Sequence, residues 1–84
     1  MSAPVKRLGF VGIVLENRRS IDHVNRLISE FSPYIISRTG VPYREKDVSV
    51  ITLTVDIDTD TLGVLTGKLG NIPEVQVKSA LCKQ

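Results

Sequence analysis

The sequence predicts one α+β domain in which two strand–helix–strand units share a four-stranded antiparallel sheet. Apolar residues alternate along several segments, which is the period of a strand, and apolar stripes at helical spacing lie between these segments. A short polar segment, residues 43–47, divides the chain into two halves that carry the same order of elements. Because 84 residues fit one domain and leave no room for a second, we expect a single domain over residues 1–84.

The first strand is predicted over residues 6–16 and is apolar on both faces. Side chains alternate along a strand, so one face carries Val11, Ile13 and Leu15. The opposite face carries Leu8, Phe10, Gly12 and Val14. A strand that is apolar on both faces is typical of a central strand with both sides covered.

The first helix is predicted to begin after Ser20, whose hydroxyl can accept a free backbone N–H as an N-cap. Its apolar stripe has helical spacing and consists of Ile21, Val24, Leu27, Ile28 and Phe31. The helix ends at Ser32, because the residue before a proline is disfavoured in the α region. A second strand follows over residues 34–39, and we expect the Gly-Val-Pro segment 40–42 to end it.

The second half of the chain repeats this pattern. Residues 48–57 alternate as a third strand, and one of its faces carries Ile51, Leu53, Val55 and Ile57. Asp58 or Asp60 is predicted to cap a second helix, which ends at Gly70-Asn71. Its apolar stripe consists of Leu62, Leu65 and Leu69. We expect the helix to approach the sheet closely through Gly63, Gly67 and Gly70. Residues 75–81 form the last strand.

This order of elements is the split βαβ, or ferredoxin-like, arrangement, in which the first and third strands are central. Two helices cover only one face of a four-stranded sheet, so the other face is left open. An exposed apolar patch of this kind is a liability on a monomer. We therefore expect a homo-oligomer, either a dimer or a tetramer. Its predicted interface consists of Leu8, Phe10, Gly12, Val14, Val50 and Thr52.

The composition argues against several classes of function. A net charge of +2, from eleven basic and nine acidic side chains, is too mild to indicate nucleic-acid or membrane binding. No stretch approaches the roughly 20 apolar residues of a membrane span, and no signal-peptide pattern is visible. The single cysteine, Cys82, has no partner for an internal disulfide, so we expect a reducing, cytoplasmic compartment.

Motifs for catalysis and metal binding are incomplete. Residues 63–69 resemble a phosphate loop, but their glycines are one residue too close and Leu69 replaces the required Ser or Thr. The alternating aspartates of residues 56–60 begin like a calcium loop that lacks its later glycine and glutamate. His23 and Cys82 are the only imidazole and thiol, and no nucleophile–base pair is visible. We expect no enzyme activity, no metal and no cofactor.

Three segments carry a family resemblance. They are residues 38–45 (RTGVPYRE), 60–70 (DTLGVLTGKLG) and 75–78 (VQVK). Together they resemble the small regulators of the iron-only hydrogenase system, and the resemblance extends from residue 7 to residue 78. That family is similar in fold to ACT domains and to the C-terminal domain of nickel-responsive repressors. The resemblance implies a homo-oligomeric regulatory module in bacteria that assemble an iron-only hydrogenase.

Two features of these wider relatives do not match the chain. Nickel-responsive repressors carry a DNA-binding segment ahead of this fold, for which residues 1–5 are too short, and their metal site uses several histidines. ACT domains typically bind amino acids at a glycine-containing turn after the first strand, whereas the turn over residues 16–20 has no glycine. Neither the nickel nor the amino-acid ligand therefore transfers to this chain, and direct DNA binding is disfavoured.

These observations favour an oligomeric regulatory module that responds to a small-molecule effector. For an anionic effector the candidate residues are Arg38, Arg44 and Lys68, with Gly40 permitting close approach to the backbone. Alternatively, the three basic side chains are ordinary surface charges and Gly40 is a turn glycine. The alternative function is a ligand-free structural or adaptor protein that holds a protein partner through its open sheet face.

Overall fold

The computed structural model describes residues 5–83. Its strands are β1 (Arg7–Leu15), β2 (Ile35–Tyr43), β3 (Val48–Ile57) and β4 (Val75–Leu81), and its helices are α1 (Ile21–Glu30) and α2 (Thr59–Gly70). Short 3-10 turns occupy Arg18–Ser20, Ser32–Tyr34 and Arg44–Lys46. The predicted order of strand, helix, strand, strand, helix, strand is confirmed.

The four strands form one antiparallel sheet in the order β2-β3-β1-β4. The first and third strands are therefore central, as predicted, and β2 and β4 are the edges. The register places Phe10 opposite Thr54 on β3 and Ala80 on β4. This arrangement confirms the ferredoxin-like α+β fold.

The core lies between one face of the sheet and the two helices. Val11 and Ile13 of β1 are fully buried there, as are Leu53 and Val55 of β3. The helices contribute Val24, Leu27, Ile28, Leu62, Leu65 and Leu69. The faces that alternation defines along β1 and β3 are thus observed, and β3 distinguishes the buried face because Thr52, Thr54 and Asp56 lie on its other face.

Asp58 caps α2, as one of the two predicted alternatives. Its carboxylate accepts a hydrogen bond from the backbone N–H of Thr61 at 3.0 Å. Hydrogen bonds from Thr61 lower the pKa of the Asp58 carboxyl, because they stabilise its charged form. The first helical turn therefore has one of its free N–H groups satisfied by the residue directly after β3.

The predicted capping role of Ser20 is wrong. Ser20 has helical backbone angles, φ −86° and ψ −8°, whereas an N-cap residue has extended ones. It ends the 3-10 turn before α1, and its side chain makes no capping hydrogen bond. Its hydroxyl instead donates to the backbone carbonyl of Pro73 at 3.1 Å. The cap of this turn is Asn17, whose side chain accepts from the N–H of Arg19 at 2.9 Å.

Strand β2 is longer than predicted. It continues through Gly40 and Pro42 to Tyr43, with Gly40 paired to Ile51 of β3. Proline lacks an N–H, but it is tolerated on an edge strand because one side of such a strand has no partner. Almost every residue of β2 is exposed, so this strand extends beyond the cover of α1.

The predicted close approach through the α2 glycines is also wrong. A Cβ added at Gly63, Gly67 or Gly70 would meet no heavy atom within 4 Å. The leucines of α2 make the contacts with the core, and the glycines face outward. The close backbone approach occurs at Gly9, where an added Cβ would overlap the carbonyl oxygen of Ala80.

Candidate functional site

A cavity of about 140 Å³ lies at one end of the sheet, between the turn that follows β1 and the connection between β2 and β3. Its lining consists of Leu15, Asn17, Arg18, Ile21, Pro42, Tyr43, Arg44, Asp47, Val48 and Ser49. Two walls far apart in the sequence therefore meet here because β1 and β3 are adjacent strands, with Leu15 paired to Ser49.

The first wall is fixed by hydrogen bonds to the loop before β4. The backbone N–H of Glu16 donates to the carbonyl of Glu74 at 2.9 Å, and the Asn17 amide donates to the Glu74 carboxylate at 3.2 Å. The Ser20 hydroxyl adds its hydrogen bond to Pro73. Glu74 has a φ of 62°, a left-handed conformation that a non-glycine residue adopts at a cost. The contacts to residues 16–20 hold this turn in place.

The second wall is the connection between β2 and β3. Arg44–Lys46 form a single 3-10 turn, which Asp47 ends in the left-handed region with a φ of 52°. The Asp47 N–H donates to the carbonyl of Arg44 at 3.1 Å. The Tyr43 hydroxyl donates to the Glu45 carboxylate at 3.0 Å. Within residues 5–83, the hydrogen bonds of this wall lie within the wall itself or in the β2–β3 ladder.

The lining of the cavity combines charged and apolar residues. Its charged residues are Arg18, Arg44 and Asp47. None of the side-chain hydrogen bonds within residues 5–83 involves Arg18 or Arg44, so both have donors to offer a ligand. Guanidinium groups bind carboxylates and phosphates through paired N–H donors. Leu15 and Ile21 supply the apolar side.

The size of the cavity limits what it can hold. At about 30 Å³ per water molecule in the liquid, a volume of about 140 Å³ corresponds to only a few waters. This is below the roughly 300 Å³ at which pockets for drug-sized ligands begin. The cavity of one copy therefore has room for a small ligand only.

The structure places the predicted ligand residues in separate environments. Arg44 lines the cavity. Arg38 donates a hydrogen bond to Asn25 of α1 at 2.7 Å, on the helix side of β2. Gly40 is exposed on β2, and the position of its missing Cβ is open. The Lys68 ammonium lies 5.9 Å from the centre of the Phe31 ring. No contact described within residues 5–83 brings Arg38, Gly40 or Lys68 to Arg44, and their role in binding stays a prediction.

Sequence reasoning missed Arg18. The sequence does not single it out, because neighbouring basic residues in a loop are usually solvated surface. The available signal is its position in the turn that follows a buried strand, where a turn can face the neighbouring hairpin. Only the pairing of Leu15 with Ser49 shows that the hairpin is the one carrying Arg44.

The other face of the sheet is open, as predicted. On the central strand β1, Leu8 is 57% exposed and Phe10 is 54% exposed. Thr52 of β3 is exposed, and Gly12, Val14 and Val50 are half-buried. No described element of this chain covers these residues, although β1 and β3 are the two central strands. Their membership of an oligomer interface stays a prediction.

The described residues include no cluster of metal ligands. Within residues 5–83, no group of three or more His, Cys, Asp or Glu side chains is placed to hold a metal ion. Cys82 is a free, exposed thiol. Across the same part of the chain, no helix has the length and apolar character needed to cross a membrane.

Sequence comparison identifies one family. The model of the TM1266-like family, described as "iron-only hydrogenase system regulator, putative", matches residues 7–79. Among functionally curated proteins, none has a sequence significantly similar to the chain.

Solved structures agree with this assignment. The uncharacterized protein TM1266 from Thermotoga maritima is 39% identical, with a TM-score of 0.88 over 93% of this chain and 99% of that one. The ACT domain of GTP pyrophosphokinase from Chlorobium tepidum is 22% identical, with a TM-score of 0.72 over 89% and 86% of the two chains. CPII from Thiomonas intermedia, solved with ADP, AMP and acetate, is 14% identical, with a TM-score of 0.51 over 99% and 94%. The last two similarities show the fold alone.

Proposed function

Since the chain belongs to the TM1266-like family of iron-only hydrogenase system regulators, we propose that it is a homo-oligomeric regulatory module that binds a small effector. In this proposal the open sheet face joins copies of the chain, and the cavity beside Arg18 and Arg44 receives the effector. The module transmits the effector-bound state to a partner protein. It acts in the cytoplasm and carries out no catalysis of its own.

The observation that carries the proposal is the exposure of Phe10 and Leu8 on a central strand. Both residues are more than half exposed to solvent, although β1 has a hydrogen-bonded neighbour on both sides. Central strands of an antiparallel sheet commonly alternate apolar and polar residues when one face meets water. The outward face of β1 has no polar side chain between Leu8 and Val14. Burying it against another copy removes apolar surface from water and stabilises the assembly.

The experiment that tests self-association is sedimentation velocity on a matched pair of variants. Phe10→Asp places a charge in the proposed interface, where an unpaired carboxylate is costly to bury. Val64→Asp makes a similar change on the outward side of α2, where Val64 is 51% exposed. We expect the unmodified protein and Val64→Asp to sediment as the same oligomer, and Phe10→Asp to sediment as a monomer. An oligomer of unchanged size in Phe10→Asp would place the interface elsewhere.

The cavity supports the sensing part of the proposal. Its lining includes two arginines whose side chains make no described hydrogen bond, together with apolar residues. One of its walls is hydrogen-bonded to the loop before β4, and the other is not. A ligand that bridges Arg18 and Arg44 would tie the connection between β2 and β3 to the fixed turn after β1. Binding would thereby restrict the less anchored wall, which is a physical change that a partner protein can detect.

The second candidate function is a ligand-free adaptor that uses the sheet face for a protein partner. The same exposed Leu8 and Phe10 favour it, because an apolar patch can bind another protein as well as a second copy. The two functions differ in the isolated protein. The adaptor predicts a monomer in which Phe10 stays exposed, whereas the regulatory module predicts an oligomer.

A further inference from the structure

Among the paired residues of the open sheet face, the formal charges are arranged symmetrically about Phe10. Lys6 and Lys83 lie outside this pairing and line a surface pocket with Asp56. Within the paired residues of this face, the only formally charged side chains are Asp56 on β3 and Lys78 on β4. Asp56 is paired with Leu8, two residues before Phe10, and Lys78 is paired with Gly12, two residues after it. The two charges are opposite in sign and lie on opposite sides of β1.

This register puts Phe10 at the midpoint between the two charges. Strands are about 4.8 Å apart, and residues rise about 3.3 Å along a strand. The Cα atoms of Asp56 and Lys78 therefore each lie about 8 Å from the Cα atom of Phe10, in opposite directions. The side-chain hydrogen bonds within residues 5–83 involve neither charge. Both groups are therefore available to a partner that covers the face.

We propose that a second copy of the chain packs on this face about a twofold axis that passes at Phe10. The two Phe10 rings then meet on the axis. Asp56 of each copy lies against Lys78 of the other, because a twofold axis exchanges two points that are equidistant from it on opposite sides. The inference rests on the proposed self-association and adds its register and symmetry.

The same geometry fixes how the two sheets cross. The line from Asp56 to Lys78 makes an angle of about 35° with the strands. The twofold axis lies in the plane of the face, perpendicular to this line. Rotation about it turns the strands of the second copy to the other side of the line, so the strands of the two copies cross at about 70°. This angle is close to the orthogonal class of sheet packing. A second copy is favoured over an unrelated protein, because the paired residues of this face present an apolar centre flanked by one acidic and one basic residue, a pattern that is complementary to itself.

The area of the face predicts how stable the dimer is. Four strands of about seven residues cover roughly 450 Å², which is less than the roughly 800 Å² per partner of a standard interface. We therefore expect a dimer whose dissociation is measurable at micromolar concentrations. A tetramer would need an additional contact elsewhere on the chain.

The test is a charge reversal read by sedimentation velocity over a range of concentrations. Asp56→Lys and Lys78→Asp each place two like-charge pairs in the dimer, and like charges across an interface are costly. We expect each single variant to raise the dimer Kd by roughly tenfold or more. The double variant restores both opposite-charge pairs and returns the Kd to within about threefold of the original. Glu30→Lys, which makes the same change in net charge as Asp56→Lys at an exposed position of α1, leaves the Kd unchanged.

The outcomes separate this inference from the proposed function. Weakening by each single reversal and recovery in the double variant support the Phe10-centred dimer. Two single variants that dimerise as well as the unmodified protein overturn it, as does a double variant that stays as weak as the singles. If Phe10→Asp dissociates the oligomer while the reversals do not, self-association through the face stands and the proposed symmetry is refuted. A protein that is monomeric at every concentration refutes both.

Discussion

The Ser20 hydroxyl donates a hydrogen bond to the backbone carbonyl of Pro73 at 3.1 Å, which joins the turn after β1 to the turn before β4. The contact is long-range in sequence and almost buried, since Ser20 is only 9% exposed. It adds to the bonds from Glu16 and Asn17 to Glu74. One wall of the cavity is therefore part of the rigid framework of the domain.

Removing this hydrogen bond should destabilise the domain. Ser20→Ala leaves the Pro73 carbonyl without its donor, and losing a hydrogen bond of this kind costs about 1 kcal/mol in the free energy of unfolding. Urea denaturation measures the change. Ser32→Ala is the matched control, because Ser32 is exposed and its side chain makes no described hydrogen bond. Equal stability of the two variants would show that the Ser20 contact contributes nothing.

Two glycine substitutions should change stability in opposite directions. Gly9→Ala puts a methyl group against the Ala80 carbonyl, and overpacking of this kind costs about 1–3 kcal/mol. Gly63→Ala adds the same group at an open, exposed position of α2, where Ala exceeds Gly in helix propensity by up to about 1 kcal/mol. Thermal unfolding of both variants measures the difference. A stabilising Gly9→Ala would contradict the close approach of β1 and β4.

The Asp58 cap predicts a dependence of stability on pH. Hydrogen bonds from Thr61 lower the pKa of the folded carboxyl below its unfolded value. The stabilisation is therefore fully present above about pH 4 and is lost as the pH falls through the folded pKa. We expect Asp58→Ala to melt at a lower temperature than the unmodified protein at pH 7, with a smaller gap at pH 2–3. A gap that stays constant over this range would show that the charge of Asp58 is irrelevant to the cap.

A small oxyanion should stabilise the protein through Arg18 and Arg44. Melting temperatures measured with increasing phosphate, sulfate or acetate test this, since a ligand at 100 times its Kd stabilises by about 2.7 kcal/mol. We expect Arg18→Ala and Arg44→Ala to lose the shift and Lys46→Ala to keep it. Lys46 shares the 3-10 turn of Arg44 but does not line the cavity.

Arg38→Ala and Lys68→Ala distinguish the cavity from the site predicted by sequence. If the shift disappears in these two variants and persists in Arg18→Ala, the ligand lies along β2 and α2 instead of in the cavity. If no oxyanion raises the melting temperature of the unmodified protein, the cavity does not bind this class of effector.

The fold could be predicted from sequence because its signals are local. The alternation along β1 and β3 assigns each residue to a face, and apolar spacing locates both helices. The role of Ser20 could not be predicted, because a hydroxyl after a polar turn looks like a cap until Pro73 is placed beside it. The length of β2 depended on its position at the sheet edge, where Pro42 is tolerated. Each failure concerns a contact with a distant segment.

The candidate site can be predicted only in part, for the same reason. The charge of Arg44 and its position in a turn make it a candidate, but Arg18, which lines the same cavity, belongs to a different loop. The open face, by contrast, could be predicted from the number of helices and strands. Two helices cover only one face of four strands, so the apolar residues Leu8 and Phe10 on the other face are exposed.

Native mass spectrometry of the freshly purified protein measures oligomer size and any retained small molecule in one experiment. We expect an oligomer of this chain that carries a small molecule in a fixed ratio. An oligomer without a bound molecule would support self-association, and the oxyanion titrations would then test effector binding. A monomer at micromolar concentration and above would refute the oligomeric module, because the exposed face around Phe10 would then have no second copy to cover it.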